Sequence, residues 1–322
     1  MPAFRPAQTI ARSAVALLLS LAAPTSHAQQ VATPDPLARM DSAIRRLDFQ
    51  GSFVYLRGGK IEAMRIFHAG GKPERERLVG LNGTRTEIAR EGGVVTCVSG
   101  NAPSKLFDTP GARLLPLLPD RRGGALAKDY SVSIGEEDRV AGYRARRIDI
   151  VPRDAYRYGY RLWLEDQSGL PLRSSIVDAS NRILEEFMFI TLDIGTRPRD
   201  SDLAPSTSAG VVDTAVEERI QPRWRVDDLP AGFALERTQR PLQGDDNSEH
   251  QIFTDGLASI SIYVEPYGGA GVADRGVARG MLNIFTHEGG GWRIAAIGDV
   301  PRATLERMVG SMRPLSGALK QD

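Results

Sequence analysis

The feature that most limits what this chain can fold into is a change of hydrophobic period near Gly51. Before it, Leu37, Met40, Ile44 and Leu47 follow one another at helical spacing behind Asp35-Pro36, an N-cap followed by proline at the first helical position, so a helix is expected to end near Asp48. After it, apolar and polar residues alternate in short runs at 53–57, 61–68, 74–81, 84–90 and 94–99. Gly58-Gly59, Ala69-Gly70-Gly71, Asn82-Gly83 and Glu91-Gly92-Gly93 separate them. Turns this short can only join antiparallel neighbours, so the pattern predicts a meander. The apolar stretch Leu114-Leu115-Pro116-Leu117-Leu118-Pro119 interrupts it. Its prolines exclude a long helix or a central strand, which leaves a short helix or loop packed on the sheet. Alternation then resumes at 130–135, 139–151, 156–164, 170–177 and 183–194, with a turn at 166–169. A sheet of that many strands must curl into a barrel or fold over to hide one face and its edges.

Residues 197–213 contain Pro198, Pro205 and several Ser, Thr and Gly residues but few large apolar ones, the composition of a linker. Beyond it, strands are expected at 233–238, 249–253, 257–265, 283–287 and 292–297. Asp299-Val300-Pro301 opens a helix carrying Leu305, Met308, Val309 and Met312 on one face. The expected class is α+β, mostly β. A leader occupies residues 1–28, a first domain 33–196, a linker 197–222 and a smaller second domain, an antiparallel sheet with a terminal helix, 223–315.

The leader reads as an export signal. Arg5 and Arg12 precede an apolar run at 13–23, and Ser26-His27-Ala28 is a small-x-small cleavage site. The run is too short to span a bilayer, and Gln29, not a cysteine, directly follows the cleavage site, so lipidation at a new N-terminal cysteine is excluded and a soluble exported protein is expected. A leader that carries two arginines and no acid leaves 39 basic residues, of 41 in the whole chain, against 40 acidic. Such a balance provides no global field for nucleic acid. The single cysteine, Cys97, sits among Val94, Val95 and Val98 and reads as an inert core thiol.

Catalytic and metal patterns are missing. His68, His250 and His287 are not spaced as ligands on one element. His287-Glu288 runs into Gly289-Gly290-Gly291 where a zinc-protease helix needs a second histidine, so it reads as a loop. The Gly-Gly-Lys triplets at 58–60 and 70–72 are hairpin turns without the rest of a phosphate loop. Glu136-Glu137-Asp138 and Asp245-Asp246 read as solvated turns. The expectation is a binding protein with no catalytic residues, metal or cofactor.

Two features suggest binding. Arg144, Arg146, Arg147, Arg153, Arg157 and Arg161 accompany a run of aromatics. Alternation puts Tyr156, Tyr158, Tyr160 and Leu162 on one face and Arg157, Gly159, Arg161 and Trp163 on the other. This is either a core face backed by a solvated basic face or an arginine face for a partner's phosphates or carboxylates. The second feature is the curved sheet, whose apolar inner side suits an acyl chain.

The order of several segments resembles the MucB/RseB family over nearly the whole mature chain. They are Phe49-Gln50-Gly51-Ser52-Phe53-Val54-Tyr55, Tyr143-Arg144-Ala145-Arg146-Arg147-Ile148, Tyr160-Arg161-Leu162-Trp163-Leu164-Glu165, and Ser168-Gly169-Leu170-Pro171-Leu172-Arg173. In the second domain they are Trp224, Leu229-Pro230-Ala231-Gly232-Phe233, Phe253-Thr254-Asp255-Gly256-Leu257 and Gly298-Asp299-Val300-Pro301. The Gly-rich stretches 268–271 and 288–291 and the Asp245-Asp246 loop match no motif of that family. The resemblance implies a first domain like the lipoprotein carriers LolA and LolB, an unclosed antiparallel β-barrel over helices. It implies a periplasmic negative regulator of a sigma-E (AlgU-type) envelope stress response. Such a regulator binds the periplasmic domain of an RseA/MucA-type anti-sigma factor, shields it from regulated proteolysis, and is released by lipid or lipopolysaccharide fragments. Partner contact is expected at Trp224, Phe233, Phe253, Tyr263 and Trp292 of the second domain, and lipid contact at Phe53, Tyr55, Phe67 and Trp163. Each of these aromatics could equally be core. A second copy of the chain is a further partner to test. The alternative function is a periplasmic lipid or lipoprotein carrier, and an envelope hydrolase ranks third.

Overall fold

The computed structural model describes Met1 and residues 35–91, 94–99, 128–206, 211–212, 218–241, 245–269 and 271–315. Residues 2–34, which include the expected leader, the stretch 114–119, the side chain of Cys97 and residues 207–210 and 213–217 of the expected linker lie outside the described residues.

Helix α1 (Pro36–Arg46) starts where the cap places it: Asp35 accepts from the Leu37 amide at 3.0 Å, and Leu37, Met40, Ala43 and Ile44 are buried. Strands β1 (Phe49–Arg57), β2 (Lys60–Ala69), β3 (Arg75–Gly80), β4 (Thr86–Glu91) and β5 (Val94–Ser99) form the first meander. The β3–β4 connection is longer than a two-residue turn, because the Asn82 side chain is used elsewhere. It accepts from the Ala63 amide at 2.8 Å and donates to the Ile61 carbonyl at 3.0 Å. The second meander is β6 (Tyr130–Val140), β7 (Tyr143–Pro152), β8 (Gly159–Glu165), β9 (Pro171–Val177) and β10 (Ile183–Ile194). The expected single strand over 139–151 is in fact a hairpin, turned at Ala141 (φ 49°) and Gly142 (φ 87°). Glu136, Glu137 and Asp138 lie within β6, at a bulge, and not in a turn.

Pairing of β1 with β10 joins the two meanders. A bulge at Ser52/Phe53 bends that junction, next to Gly51, where a Cβ would run into the Thr191 carbonyl. After helix α2 (Asp200–Leu203), the short strand β11 (Val211–Val212) pairs with β5 and completes an eleven-stranded antiparallel sheet, ordered β11-β5-β4-β3-β2-β1-β10-β9-β8-β7-β6, whose end strands do not pair. The sheet curls around α1. Leu37, Met40 and Ile44 share one core with Phe49, Phe53, Ile66, Leu78 and Ile88 from one half and Ile148, Ile150, Tyr160, Leu162, Ile176 and Phe187 from the other. Residues 199–206 run along the outside of the first meander: Leu203 is buried, Arg75 pairs with Asp200 at 2.6 Å, and Ser206 donates to Glu87.

The second domain opens with β12 (Trp224–Val226), followed by β13 (Ala234–Gln239), β14 (Glu249–Thr254), β15 (Ser259–Pro266), β16 (Ala273–Arg279), β17 (Leu282–Gly289) and β18 (Trp292–Gly298). Then come α3 (Arg302–Gly310) and β19 (Met312–Pro314). The main sheet has the order β13-β14-β15-β18-β17-β16, and β12 pairs with β19. The helix packs on β17 and β18 through Leu305, Met308 and Val309, over Ile260, Ile262, Val264, Phe285 and Ile294. Three local expectations are corrected. Met312 belongs to β19, since the helix stops at Gly310. His287-Glu288 is strand, not loop. Strand β16 is added; its exposed residues have no apolar alternation to betray it.

Candidate functional site

The structure distributes the expected lipid-contact residues over both faces of the large sheet. Phe53 faces inward and is fully buried, edge-on to Phe187 (5.9 Å) and Phe189 (5.7 Å). Tyr55 is on the same side and donates its hydroxyl to Glu185. Phe67 pairs across from Gln50, one residue along from the inward-facing Ile66, and so lies on the outer face, half-buried near Arg77. Trp163 is also outside, in a small cluster with Val140, Ala145 and Leu172 under the Arg173 guanidinium at 4.2 Å. The inward-facing apolar residues that reach solvent are elsewhere. Val132 (41% exposed) and Ile134 (63%) on β6, an end strand of the sheet among the described residues, sit directly across from the buried Ile150 and Ile148.

Of the expected partner-contact aromatics, Trp224, Phe233 and Phe253 are buried in the core of the second domain. Tyr263 is half-buried and stacks on His250 at 4.1 Å. Trp292 is half-buried and meets Trp224 edge-on at 5.2 Å. Tyr263 and Trp292 are therefore the two that still present ring surface. The arginine run is mostly engaged: Arg144 and Arg146 pair with Glu137, Arg147 pairs with Asp149 at 3.0 Å, and Arg161 meets Asn181. Tyr158, Tyr160 and Leu162 form the expected core face.

Arg157, from the same run, leads to the least expected feature, a buried polar contact between the domains. It lies in the bend before β8 and is buried beneath the rings of Tyr130 (5.3 Å) and Phe233 (5.0 Å). Its guanidinium donates to Asp154 at 2.9 Å, to Asp255 of the second domain at 2.7 Å and to the Ala231 carbonyl. Burial alone would weaken its hold on the proton, but the Asp154 hydrogen bond and the Asp255 charge outweigh that and raise its pKa. Asp255 also accepts from the Tyr130 hydroxyl at 2.8 Å and from the amides of Leu257 and Ala258. That turn inserts Leu257 into the core of the first domain.

A second contact is made by the hairpin turn between β16 and β17. Gly280, at φ 64°, lies so close to Glu185 that a Cβ would strike its carboxylate, and the Met281 amide donates to Glu185 at 2.9 Å. Burial pushes the Glu185 carboxyl above its ordinary range, against the opposing pull of the Tyr55 and Met281 hydrogen bonds. Nearby, Asn283 donates to the Tyr158 hydroxyl at 3.0 Å and to the Val300 carbonyl at 2.8 Å, and the Thr304 hydroxyl donates to the Tyr156 carbonyl at 2.8 Å. Asp299 accepts from the Ser259 amide at 2.8 Å, and desolvation pushes its carboxyl up to about 6. Replacing a buried charge pair of this kind with apolar residues is often neutral, whereas removing one partner alone is costly. Sequence reading missed these residues because each partner is remote: Arg157 and Asp255 are 98 positions apart, Tyr130 and Asp255 125.

Among the described residues no helix is long and apolar enough to cross a membrane. A family model described as the MucB/RseB N-terminal domain matches residues 33–207, and one described as the MucB/RseB C-terminal domain matches residues 218–313. The sigma factor AlgU regulatory protein MucB of Pseudomonas aeruginosa is 33% identical over 311 residues, 93% of this chain and 96% of that protein. The sigma-E factor regulatory protein RseB of Haemophilus influenzae is 27% identical over 303 residues, 92% and 94% of the two chains. The fold is similar to that of MucB in the Pseudomonas aeruginosa MucA/MucB complex, with a TM-score of 0.73 at 32% identity, covering 88% of this chain and 99% of that one. A crystal structure of MucB without a named partner gives 0.62 at 32% identity, covering 87% and 97%. With both domain models matched in order along one chain, this protein belongs to the MucB/RseB family.

Proposed function

We propose that this protein is a periplasmic negative regulator of a sigma-E-type factor, acting by binding rather than by catalysis. In this reading it holds the periplasmic domain of a membrane anti-sigma factor, shields it from the protease that begins its degradation, and lets go when a lipid or lipopolysaccharide fragment binds. The observation that carries the reading is the likeness of both domains, in one arrangement, to MucB in its complex with MucA. The buried polar contact between the domains supplies a physical route for release. A ligand that favours a second arrangement must break the Arg157–Asp255 and Glu185–Met281 contacts, and it shifts the population only by its differential affinity for the two arrangements.

Tyr263 and Trp292 are the proposed aromatic anchors for the partner, because their rings are not wholly consumed by the core. Trp224, Phe233 and Phe253 would support them from beneath. For the lipid, Phe53 and Tyr55 line the interior that an acyl chain would have to open, and Phe67 and Trp163 on the outer face would contact it only from outside. Val132 and Ile134, exposed on an end strand of the described sheet, suit its first contact.

The test is a protection assay. The anti-sigma periplasmic segment from the same genome is exposed to its site-one protease with and without this protein, then with lipopolysaccharide fragments added. Protection that the fragments abolish supports the reading. A segment cleaved equally fast in the presence of the protein refutes it.

A further inference from the structure

The geometry points to a metal site of the zinc class in the first domain, built from His68, Glu74 and Glu76. Phe49, His68, Glu76 and Arg90 are successive cross-strand partners on β1, β2, β3 and β4, and so form one row on one face of the sheet. Glu74 precedes β3 and leans over the row. The side chains of His68 and Glu76 are closed to solvent and that of Glu74 is 20% exposed, so access is from the Glu74 side.

The tautomer of His68 is set by its surroundings. Nδ1 lies 2.7 Å from the Leu47 carbonyl, which can only accept, so Nδ1 carries a proton. Nε2 then faces two carboxylate oxygens, Glu74 Oε1 at 3.2 Å and Glu76 Oε1 at 3.5 Å. Arg90 supplies one positive charge, touching Glu74 Oε1 at 2.9 Å and the other oxygen of Glu76 at 2.8 Å, so two carboxylates face a single cation and a further positive species at Nε2, a second proton or a metal ion, would balance them.

Several observations favour the metal. Ligand atoms about 2.0–2.2 Å from a tetrahedral zinc stand about 3.3–3.6 Å apart; the 3.5 Å spacing to Glu76 falls in that range and the 3.2 Å spacing to Glu74 lies just below it. All three candidate ligand atoms lie within 4.8 Å of one another. Glu76 Oε1 is buried and has no hydrogen-bond partner, which a shared proton directed at Glu74 would leave unchanged and a metal would remedy. A histidine whose other nitrogen donates to a backbone carbonyl is the ordinary support of a metal ligand. The ring is further held by stacking on Phe49 at 4.5 Å; Arg90 grips the far oxygen of Glu76 at 2.8 Å, but it also donates to Glu74 Oε1 itself at 2.9 Å and would compete there with a metal. One nitrogen and two carboxylate oxygens, with water completing the shell, suit zinc and its first-row neighbours better than a thiol-seeking ion. Arg90 repels the metal, so the affinity is modest and should rise when that charge is removed. The site would pin the β2–β3 hairpin to the end of α1, where Leu47 lies.

The experiment uses the protein lacking residues 1–28, stripped with a chelator. Zinc uptake is measured by equilibrium dialysis, thermal melting is followed with and without zinc, and the His68 ring nitrogens are read by NMR. One zinc per chain, a melting temperature raised by zinc, and loss of both in Glu74→Gln and Glu76→Gln are expected. Glu74→Gln sits at the exposed rim and keeps the fold if Glu76→Gln does not. Arg90→Gln should lower the zinc-free melting temperature yet tighten zinc binding by about tenfold or more. The inference is overturned by absence of uptake at millimolar zinc, by uptake that survives both glutamine variants, or by a doubly protonated His68 ring in saturating zinc.

Discussion

Replacing Arg157 with methionine should loosen the two domains from one another at a cost that can be worked from the contacts. The guanidinium and the Asp255 carboxylate are both fully buried, while Asp154 is 26% exposed. Removing one member of a buried ion pair costs about 3–5 kcal/mol, because the other charge stays buried without its partner. Here the stranded Asp255 keeps three donors, the Tyr130 hydroxyl at 2.8 Å and the amides of Leu257 and Ala258 at 2.9 and 2.8 Å, which argues for the low end. The cation over the Tyr130 and Phe233 rings is lost as well, a contribution of about 0.5–2 kcal/mol that overlaps the first. A loss of about 3–4 kcal/mol is expected, or roughly two to three powers of ten in the docking equilibrium. Urea unfolding of the protein lacking residues 1–28 should then separate into two transitions, one per domain, and the radius of gyration in solution scattering should grow. The double variant Arg157→Met with Asp255→Asn should recover part of the loss, with a coupling energy of about 0.5–3 kcal/mol. A single transition displaced by less than about 1 kcal/mol, with unchanged scattering, would refute the view that this pair holds the domains together.

Gly280→Ala should weaken the same interface from its other end by about 1–3 kcal/mol, through both its positive φ and the collision with Glu185, as read by denaturant unfolding. Asp299 has a folded pKa raised from 3.8 to about 6, so its contribution to stability is fully present below the unfolded carboxylate range and is lost as the pH rises through about 6. Wild type should therefore gain stability relative to Asp299→Asn as melting is repeated from about pH 7 down to about pH 4. Phe53→Ala should cost about 3–5 kcal/mol of fold stability, whereas Phe67→Ala on the outer face should cost far less; comparable losses by denaturation would contradict the assignment of faces. Trp292→Ala should lower affinity for the anti-sigma segment by about 2 kcal/mol in calorimetry, with a smaller stability loss than Trp224→Ala.

What the sequence disclosed and what it concealed divide along physical lines. Local periodicity was enough for α1, with its Asp35-Pro36 start, and for most strands of both meanders, because burial of alternate residues leaves a pattern that needs no knowledge of the rest of the chain. It failed where nothing is buried, as in β16, and where polar residues continue a strand, as at Glu136 to Asp138. It also failed at Ala141-Gly142, since a tight turn inside a continuous alternating run leaves the alternation intact. The aromatics Trp224, Phe233, Phe253, Tyr263 and Trp292 were legible as large apolar groups, but not which of them the core would consume. The interface groups were visible only as pieces: Arg157 as one of a basic run, Asp255 as a turn residue, Glu185 as one acid among many. Their meaning comes from pairing across a long separation in the chain, which no local pattern encodes. The same holds for His68, whose neighbours Glu74 and Glu76 arrive by way of a hairpin and not by spacing on one element.

The central claim is that this chain grips an anti-sigma factor and yields it to lipid. Titrating the protein lacking residues 1–28 with the periplasmic segment of the anti-sigma factor from its own genome, followed by lipopolysaccharide or acyl fragments, tests that most directly. The account predicts a saturable complex that the fragments dissociate, and dissociation at lower fragment concentration in Arg157→Met. Lipid uptake without any complex in the absence of lipid would contradict it and favour a carrier.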